Sequence, residues 1–243
     1  MSKDQVFSEP RSQIVDFAFD ETVASVFPDM IRRSVPGYEL VVPMTGLLAV
    51  RALRDGASSR VYDLGCSLGA TTLAILKSLE ALDVHKPDLE IVAVDNSAAM
   101  LEQARAAVTD PRVTFLEADI RTLPLDNAGA VTMNWVLQFI PPDGRLDVLT
   151  GIKNGLADGG LLLLSEKVRS DDAVTEGFND AAHLDFKRAN GYSELEISQK
   201  RTALEEVMIT DTIETHYERL QSAGFSRVQM WYQCLNWASF VAS

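Results

Sequence analysis

Residues 60–69 read Arg60-Val61-Tyr62-Asp63-Leu64-Gly65-Cys66-Ser67-Leu68-Gly69, and the reading of the fold turns on them. The first five have the apolar character of a buried strand. Gly65 ends it, and residues 71–82 then follow helical periodicity. Small residues between the two let the backbone pass close to a ligand, and Gly65 and Gly69 can take conformations closed to other residues. Taken alone, the loop is a tight strand-to-helix turn.

The alternation continues downstream. Residues 90–95 form a second strand, 97–108 a helix with Asn96 or Ser97 as its N-cap, and 113–116 a third strand. Residues 130–135 and 161–165 give a fourth and a fifth, the last opened by Gly159-Gly160. Strands separated by helices imply right-handed crossovers and a parallel sheet covered on both faces. Residues 212–223 read as a helix closed by Gly224, followed by apolar stretches at 228–234 and 237–241.

Upstream, residues 1–35 are helical in part. Val23, Phe27, Met30 and Ile31 recur at helical spacing, and Pro28 is expected to bend or restart the helix. Pro36-Gly37 is a turn with Tyr38 just after it, and 43–54 is a helix with Leu47, Leu48 and Leu53 in the core. Residues 166–210 break the pattern, being longer than a usual crossover. They hold a helix at 193–208, with a Ser193/Glu196 capping box and a Glu196–Lys200 pair. The expectation is one α/β domain over 1–243, with a helical cap at 1–55 and a helical lid at 166–210.

Composition sets limits. The chain has 243 residues and a net charge of −13, from 35 acidic and 22 basic residues. That excess argues against direct contact with a nucleic acid, which is bound by neutralising phosphates. Cys66 and Cys234, far apart, give neither a disulfide framework nor zinc spacing. No apolar run approaches the roughly 20 residues of a membrane span, and the first residues carry no secretory pattern. The expectation is a cytoplasmic protein without membrane contact. The three histidines, His85, His183 and His216, lack metal-ligand spacing and are expected to be surface or satisfied residues, so no metal is expected.

Open parallel sheets bind ligands beyond the C-terminal strand ends. A dinucleotide fingerprint needs a glycine where Ser67 stands, and the Gly-Lys-Ser/Thr of a P-loop is absent. The loop from Asp63 to Gly69 instead resembles the S-adenosylmethionine loop of class I methyltransferases. Asp95, ending the second strand, can accept hydrogen bonds from both hydroxyls of a ribose. Alone it reads better as a helix cap; with the loop, the ribose role is the better one. Asp119 suits an adenine amine and Ile120 the ring face, while Asn134 ends the fourth strand near a reactive methyl. Asn134 lacks the Pro-Pro-Tyr that follows in amino-group methyltransferases. Cys66 has no local His and reads as a packing residue. Lys187, Arg188, Lys200 and Arg201 cluster in the insertion, where spacing alone favours salt bridges such as Arg201–Glu205.

Several blocks carry a fuller resemblance: Phe27 to Met30, Arg32 to Tyr38, Val61 to Gly69, Asp95-Asn96-Ser97, Asp119-Ile120-Arg121, Leu137-Gln138-Phe139, Leu164 to Lys167, Asp185 to Tyr192, and Gln199-Lys200-Arg201. Through them the chain resembles the carboxy-S-adenosylmethionine synthase family over nearly its whole length. The resemblance implies a Rossmann-like class I methyltransferase fold. That fold has a mostly parallel seven-stranded sheet, an antiparallel last strand and a helical insertion after strand 5. It implies that Tyr38, Gly65, Cys66, Ser67, Asp95, Asn96, Asp119, Ile120 and Asn134 line S-adenosylmethionine, and that Arg201 holds a carboxylate. It implies conversion of S-adenosylmethionine and prephenate to carboxy-S-adenosylmethionine and phenylpyruvate, supplying a partner enzyme that modifies the tRNA wobble uridine. A homodimer is implied as well. No side chain stands out as general base, and the hydroxide leaving prephenate can fill that role.

Two other classes share the loop and Asp95. A small-molecule methyltransferase has no need of Arg201 and would transfer methyl groups to an acceptor. A non-enzymatic regulator would bind S-adenosylmethionine without consuming prephenate.

Overall fold

The computed structural model describes residues 3–10, 14–56 and 58–243; the remainder of the 1–35 stretch lies outside the described residues. Two helices come first, α1 (Glu21–Ser34) and α2 (Tyr38–Asp55). Asp20 caps α1 by accepting the Val23 N–H at 2.9 Å. The break expected at Pro28 and the start expected at residue 43 are both corrected, since α1 runs through Pro28 and α2 through Pro43. A mid-helix proline forfeits one backbone bond. Burial of Val23, Ala24 and Met30 on α1, and of Val41, Ala49 and Leu53 on α2, outweighs that loss. Leu47, expected in the core, is 37% exposed, and Gly46 and Val50 take the buried face instead.

The alternating region follows as β1 (Arg60–Leu64), α3 (Ala70–Ala81), β2 (Glu90–Asp95), α4 (Ala98–Ala107), β3 (Val113–Glu117), β4 (Ala128–Asn134), α5 (Arg145–Gly155) and β5 (Leu156–Arg169). The insertion comprises α6 (Ala173–Ala189) and α7 (Glu194–Leu204). Then come β6 (Asp211–Thr212), α8 (Ile213–Ser222), β7 (Val228–Cys234) and β8 (Trp237–Ala242). The sheet order is β3-β2-β1-β4-β5-β8-β7, and two-residue β6 adds an eighth strand beside the end of β5. β8 runs antiparallel to both β5 and β7, and the other neighbours are parallel.

Side chains alternate across this sheet as its pleat requires. On β1, Val61 packs under α2 and α3, whereas Tyr62 and Leu64 join the core beneath α5 and α8. On β5, Leu161 and Leu163 face the first core, and Leu162 and Leu164 the second. Both faces are thereby covered.

The insertion departs from expectation in four ways. α6 was not read from the sequence, and α7 ends at Leu204 rather than 208. The capping box forms, with Ser193 N–H donating to Glu196 at 2.7 Å. That commitment leaves Lys200 without the expected Glu196 partner. Its ammonium instead donates to Ser34 Oγ at 3.0 Å and lies 3.7 Å from Asp4. Arg201 pairs with Asp180 at 3.5 Å and not with Glu205. The N-terminal segment is fastened to this region, because Tyr192 donates to Asp4 at 2.5 Å and Gln199 donates to the Phe7 and Glu9 carbonyls at 2.9 Å.

Candidate active site

The crossovers from β1 and β4 leave in opposite directions along the sheet, so a crevice opens between their C-terminal ends. Gly65 and Cys66 N–H groups both donate to the Val94 carbonyl, at 2.8 and 2.9 Å, which folds the loop over β2. Gly65 sits at φ +70°, and a Cβ there would overlap Val136. Ser67 holds φ +50° without being glycine, because its N–H donates to Asp95 Oδ2 at 2.8 Å. Asp95 Oδ1 takes the Ser97 N–H at 2.9 Å.

Of the two N-cap candidates, Ser97 caps α4 by accepting the Met100 N–H at 3.2 Å, so Asp95 is not the cap. A carboxylate has about four acceptor positions. Two backbone donors therefore leave Asp95 able to receive the hydroxyls of a ribose. Burial raises its pKa, and the N–H groups of Ser97, Ser67 and Asn96 oppose that. Asp63, the first residue of the motif, has a different task. It is buried and accepts from Thr72 at 2.6 Å and Thr132 at 2.8 Å, tying α3 and β4 to β1 beneath the loop. Cys66 packs on Ala93 and Leu101, and burial pushes its thiol up, which suits packing and not nucleophilic chemistry.

A wall of aromatic rings closes one side. Tyr38 stacks on Trp135 with centroids 5.4 Å apart, and Trp135 meets Trp237 edge-on at 6.5 Å. Burial pushes the Tyr38 hydroxyl up to about 12, so it stays protonated and can donate. Asn134 Nδ2 donates to Thr71 at 3.1 Å, while its Oδ1 is buried with no partner among the described residues. A buried acceptor left empty costs about 1–3 kcal/mol. A donor group on a ligand would relieve it, which fits the expected methionine end.

The other expected positions are looser. Arg121 grips Asp119 with two nitrogens, at 2.9 and 2.5 Å, and these bonds lower the carboxyl pKa. Ile120 is partly buried against the main core, and Asn96 is exposed. Arg201 is 65% exposed in its side chain, and no described hydrogen bond or ion pair joins it to the loop, Asp95 or Asn134. His85 is exposed and His183 is satisfied by the Ser34 carbonyl at 2.8 Å. His216 corrects the expectation: it is buried against Phe240 with neither ring nitrogen partnered among the described residues, and burial lowers its pKa to about 4. Among the described residues no cluster of His, Cys, Asp or Glu could hold a metal, and no helix is long and apolar enough to cross a membrane.

Residues 61–160 match the model of the methyltransferase domain family. A carboxy-S-adenosyl-L-methionine synthase from Pseudomonas putida is 50% identical over 100% of this chain and 99% of its own length. One from Erwinia tasmaniensis is 49% identical over 99% and 97%. The chain belongs to the carboxy-S-adenosyl-L-methionine synthase family. Among solved structures, an O-methyltransferase family protein from Burkholderia thailandensis superposes with a TM-score of 0.63 at 18% identity, over 93% of this chain and 60% of that one. Human N-acetylserotonin methyltransferase in complex with SAM gives 0.58 at 16%, over 91% and 55%. These two share the fold.

Within this carboxy-S-adenosyl-L-methionine synthase framework, Glu166 is a residue that motif reasoning passed over. It is fully buried on β5, and its carboxyl accepts the N–H groups of Val136, Leu137 and Gln138 at 3.2, 2.9 and 2.9 Å. It therefore holds the turn in which Trp135 stands at φ +61°. A lone acidic residue closing an apolar strand was the available signal, because such a group stays buried only with partners.

Proposed function

We propose that the chain converts S-adenosylmethionine and prephenate to carboxy-S-adenosylmethionine and phenylpyruvate. The full-length similarity at 50% identity carries this reading. The crevice adds chemical support. Tyr38, Gly65, Cys66, Ser67, Asp95, Asn96, Asp119, Ile120 and Asn134 are the proposed S-adenosylmethionine contacts. Asp95 has acceptor positions free for the ribose, and Asn134 Oδ1 an unfilled one for the methionine end.

In the proposed step, the bond between the prephenate ring and its carboxylate breaks. Its electron pair aromatises the ring and expels the ring hydroxide, releasing carbon dioxide. The hydroxide takes a proton from the sulfonium methyl and becomes water. The ylide carbon then bonds to carbon dioxide, and Arg201 clamps the new carboxylate. An ylide is quenched by water, which gives the Tyr38–Trp135–Trp237 wall a purpose. Helices α6 and α7 are the proposed lid, and α1 and α2 the cap, of a single domain.

The test is coupling. Phenylpyruvate, followed by its absorbance, is expected only when S-adenosylmethionine and prephenate are both present. Equal release without S-adenosylmethionine overturns the reading. Asp95→Ala is expected to weaken S-adenosylmethionine binding by about 1–3 kcal/mol, the cost of unpairing polar ligand groups. Unchanged affinity in titration calorimetry removes Asp95 from the site.

The chain is further proposed to act as a homodimer. Val174 and Phe178, one turn apart on α6, are 81% and 68% exposed, an apolar pair that a second copy would cover. Phe178→Glu is expected to sediment as a monomer where the unaltered protein sediments as a dimer. The product is proposed to supply carboxymethylation of the tRNA wobble uridine in the cytoplasm by a partner enzyme. The net charge of −13 favours that division of labour over direct tRNA contact.

A further inference from the structure

Along α6, Glu176, Asp180, His183 and Lys187 recur at spacings of four, three and four, which sets them on one helix face. That face lies against the ends of β5 and β8. His183 meets the Trp237 ring edge-on at 5.6 Å, and Asp180 accepts from Asn236 at 3.4 Å. Lys167 stands opposite Trp237 in the β5–β8 register, and its charge interacts with those of Asp180, Arg201 and Glu176. Lys187 interacts with the charges of Lys200, Lys167 and Arg201, and with that of Asp180. Three cations, Lys167, Lys187 and Arg201, are thus within electrostatic reach of Asp180, whose carboxylate is already shared between Arg201 and Asn236. Glu176 is occupied by the Ser170 N–H at 2.7 Å.

Neither Lys167 nor Lys187 has an ion pair or a side-chain hydrogen bond among the described residues, although both are more than half-buried by their surroundings. Burial first, and then the neighbouring cations, bring Lys187 down to about 7. Lysines crowded together without an acidic partner of their own, in a chain of net charge −13, make a place that a bound anion would stabilise. The aromatic wall connects it to the crevice, since Trp237 touches both His183 and Trp135, and Trp135 stacks on Tyr38. Trp237 Nε1 is buried beside this cluster with no partner among the described residues.

We propose that Lys167 and Lys187 bind the carboxylate that the carboxyl donor keeps, the one on its α-keto acid side chain. The inference rests on the proposed use of prephenate as donor. The choice between the donor's two carboxylates follows from charge. Decarboxylation moves negative charge off the departing group, so a cation there would stabilise the ground state over the transition state and slow the step. The retained carboxylate keeps its charge throughout, and cations on it bind substrate and transition state alike.

That distinction is measurable. Lys187→Met preserves the length of the apolar stem and removes the charge. It is expected to raise KM for prephenate about tenfold or more, while kcat changes less than about threefold, the pattern of lost uniform binding. Phenylpyruvate retains the same carboxylate, so its inhibition constant is expected to rise by the same factor. The affinity for S-adenosylmethionine, measured by calorimetry, should not move. Lys167→Met should act in the same direction, and Lys187→Arg should restore KM.

Wild-type turnover of prephenate with an unchanged KM in both Met variants overturns the subsite and leaves the proposed reaction standing. A fall in kcat at constant KM also overturns it, because it would assign the pair to positioning of the reacting groups, and a rise in kcat overturns it by assigning the pair to the departing carboxylate. If the wild type does not turn over prephenate, the proposed reaction fails. Calorimetry of phenylpyruvate against wild type and Lys187→Met then reads the subsite by itself, with equal affinities overturning it.

Discussion

Arg201→Ala is expected to lower kcat for carboxylation by about 10²–10³-fold, the usual effect of removing one charge-stabilising donor. Binding of S-adenosylmethionine is expected to survive. Carboxylation creates a second anion beside the amino-acid carboxylate of the substrate, and a planar guanidinium meets a new carboxylate with two parallel hydrogen bonds. The Asp180 partner does not prevent this. That pair is 3.5 Å long with the Arg201 side chain 65% exposed, and exposed pairs contribute only about 0–1 kcal/mol. The guanidinium can exchange Asp180 for the product at little cost. The same exposure means that the variant should fold normally, so an unchanged melting temperature with lost turnover is the expected combination. Arg201→Lys should recover part of the rate, because a point charge replaces the fork. Normal turnover of prephenate by Arg201→Ala removes Arg201 from the chemistry.

The second large effect concerns stability. Glu166→Ala deprives three consecutive N–H groups, those of Val136, Leu137 and Gln138, of their acceptor in a fully buried place. Each stranded donor costs about 1–3 kcal/mol, partly relieved by water entering the vacated volume. A loss of about 3–5 kcal/mol is expected, or about 10 °C in Tm for a chain of this size. Because the same turn carries Trp135, affinity for S-adenosylmethionine should fall with it. Glu166→Gln keeps the volume but offers one acceptor oxygen in place of two, so its loss should be smaller.

A pH signature accompanies Glu166. Burial raises its carboxyl from 4.5 to about 8, against the three N–H groups and Arg145. Between those values the folded state keeps a proton that the unfolded state has released. The contribution of this group is therefore greatest below pH 4.5 and is lost as pH rises through 8. Denaturant titrations between pH 5 and 8 should show a downward component of stability that Glu166→Gln lacks. An equal slope in both proteins contradicts the assignment.

Legibility in the sequence followed local pattern. The bounds of β1 and β2 coincide with the apolar runs at 60–64 and 90–95, because central parallel strands are buried on both faces and read as continuous hydrophobic stretches. The loop at Gly65 and the carboxylate at Asp95 were legible for the same reason, being fixed by the strand ends. α6 was not, since only His183 on it is buried and Val174 and Phe178 face outward, which leaves no apolar stripe to detect. The long α1 and α2 were obscured by Pro28 and Pro43, whose local penalty is overridden by packing that sequence does not display.

Partner choice was the least legible feature. Glu196 serves Ser193, so Lys200 turns to Ser34 and Asp4, and Arg201 to Asp180, none of which i,i+4 spacing can foresee. The Glu166 clamp is of the same kind. It joins β5 to a turn some 30 residues earlier, and the separation itself hides it.

The central claim is that the methyl carbon of S-adenosylmethionine gains a carboxyl group. Its most direct test is mass spectrometry of the small molecule released when the protein is denatured after incubation with S-adenosylmethionine and prephenate labelled with ¹³C in the ring carboxylate. The account predicts carboxy-S-adenosylmethionine carrying the label. S-adenosylmethionine or S-adenosylhomocysteine alone would contradict it and favour an ordinary methyltransferase on the same fold.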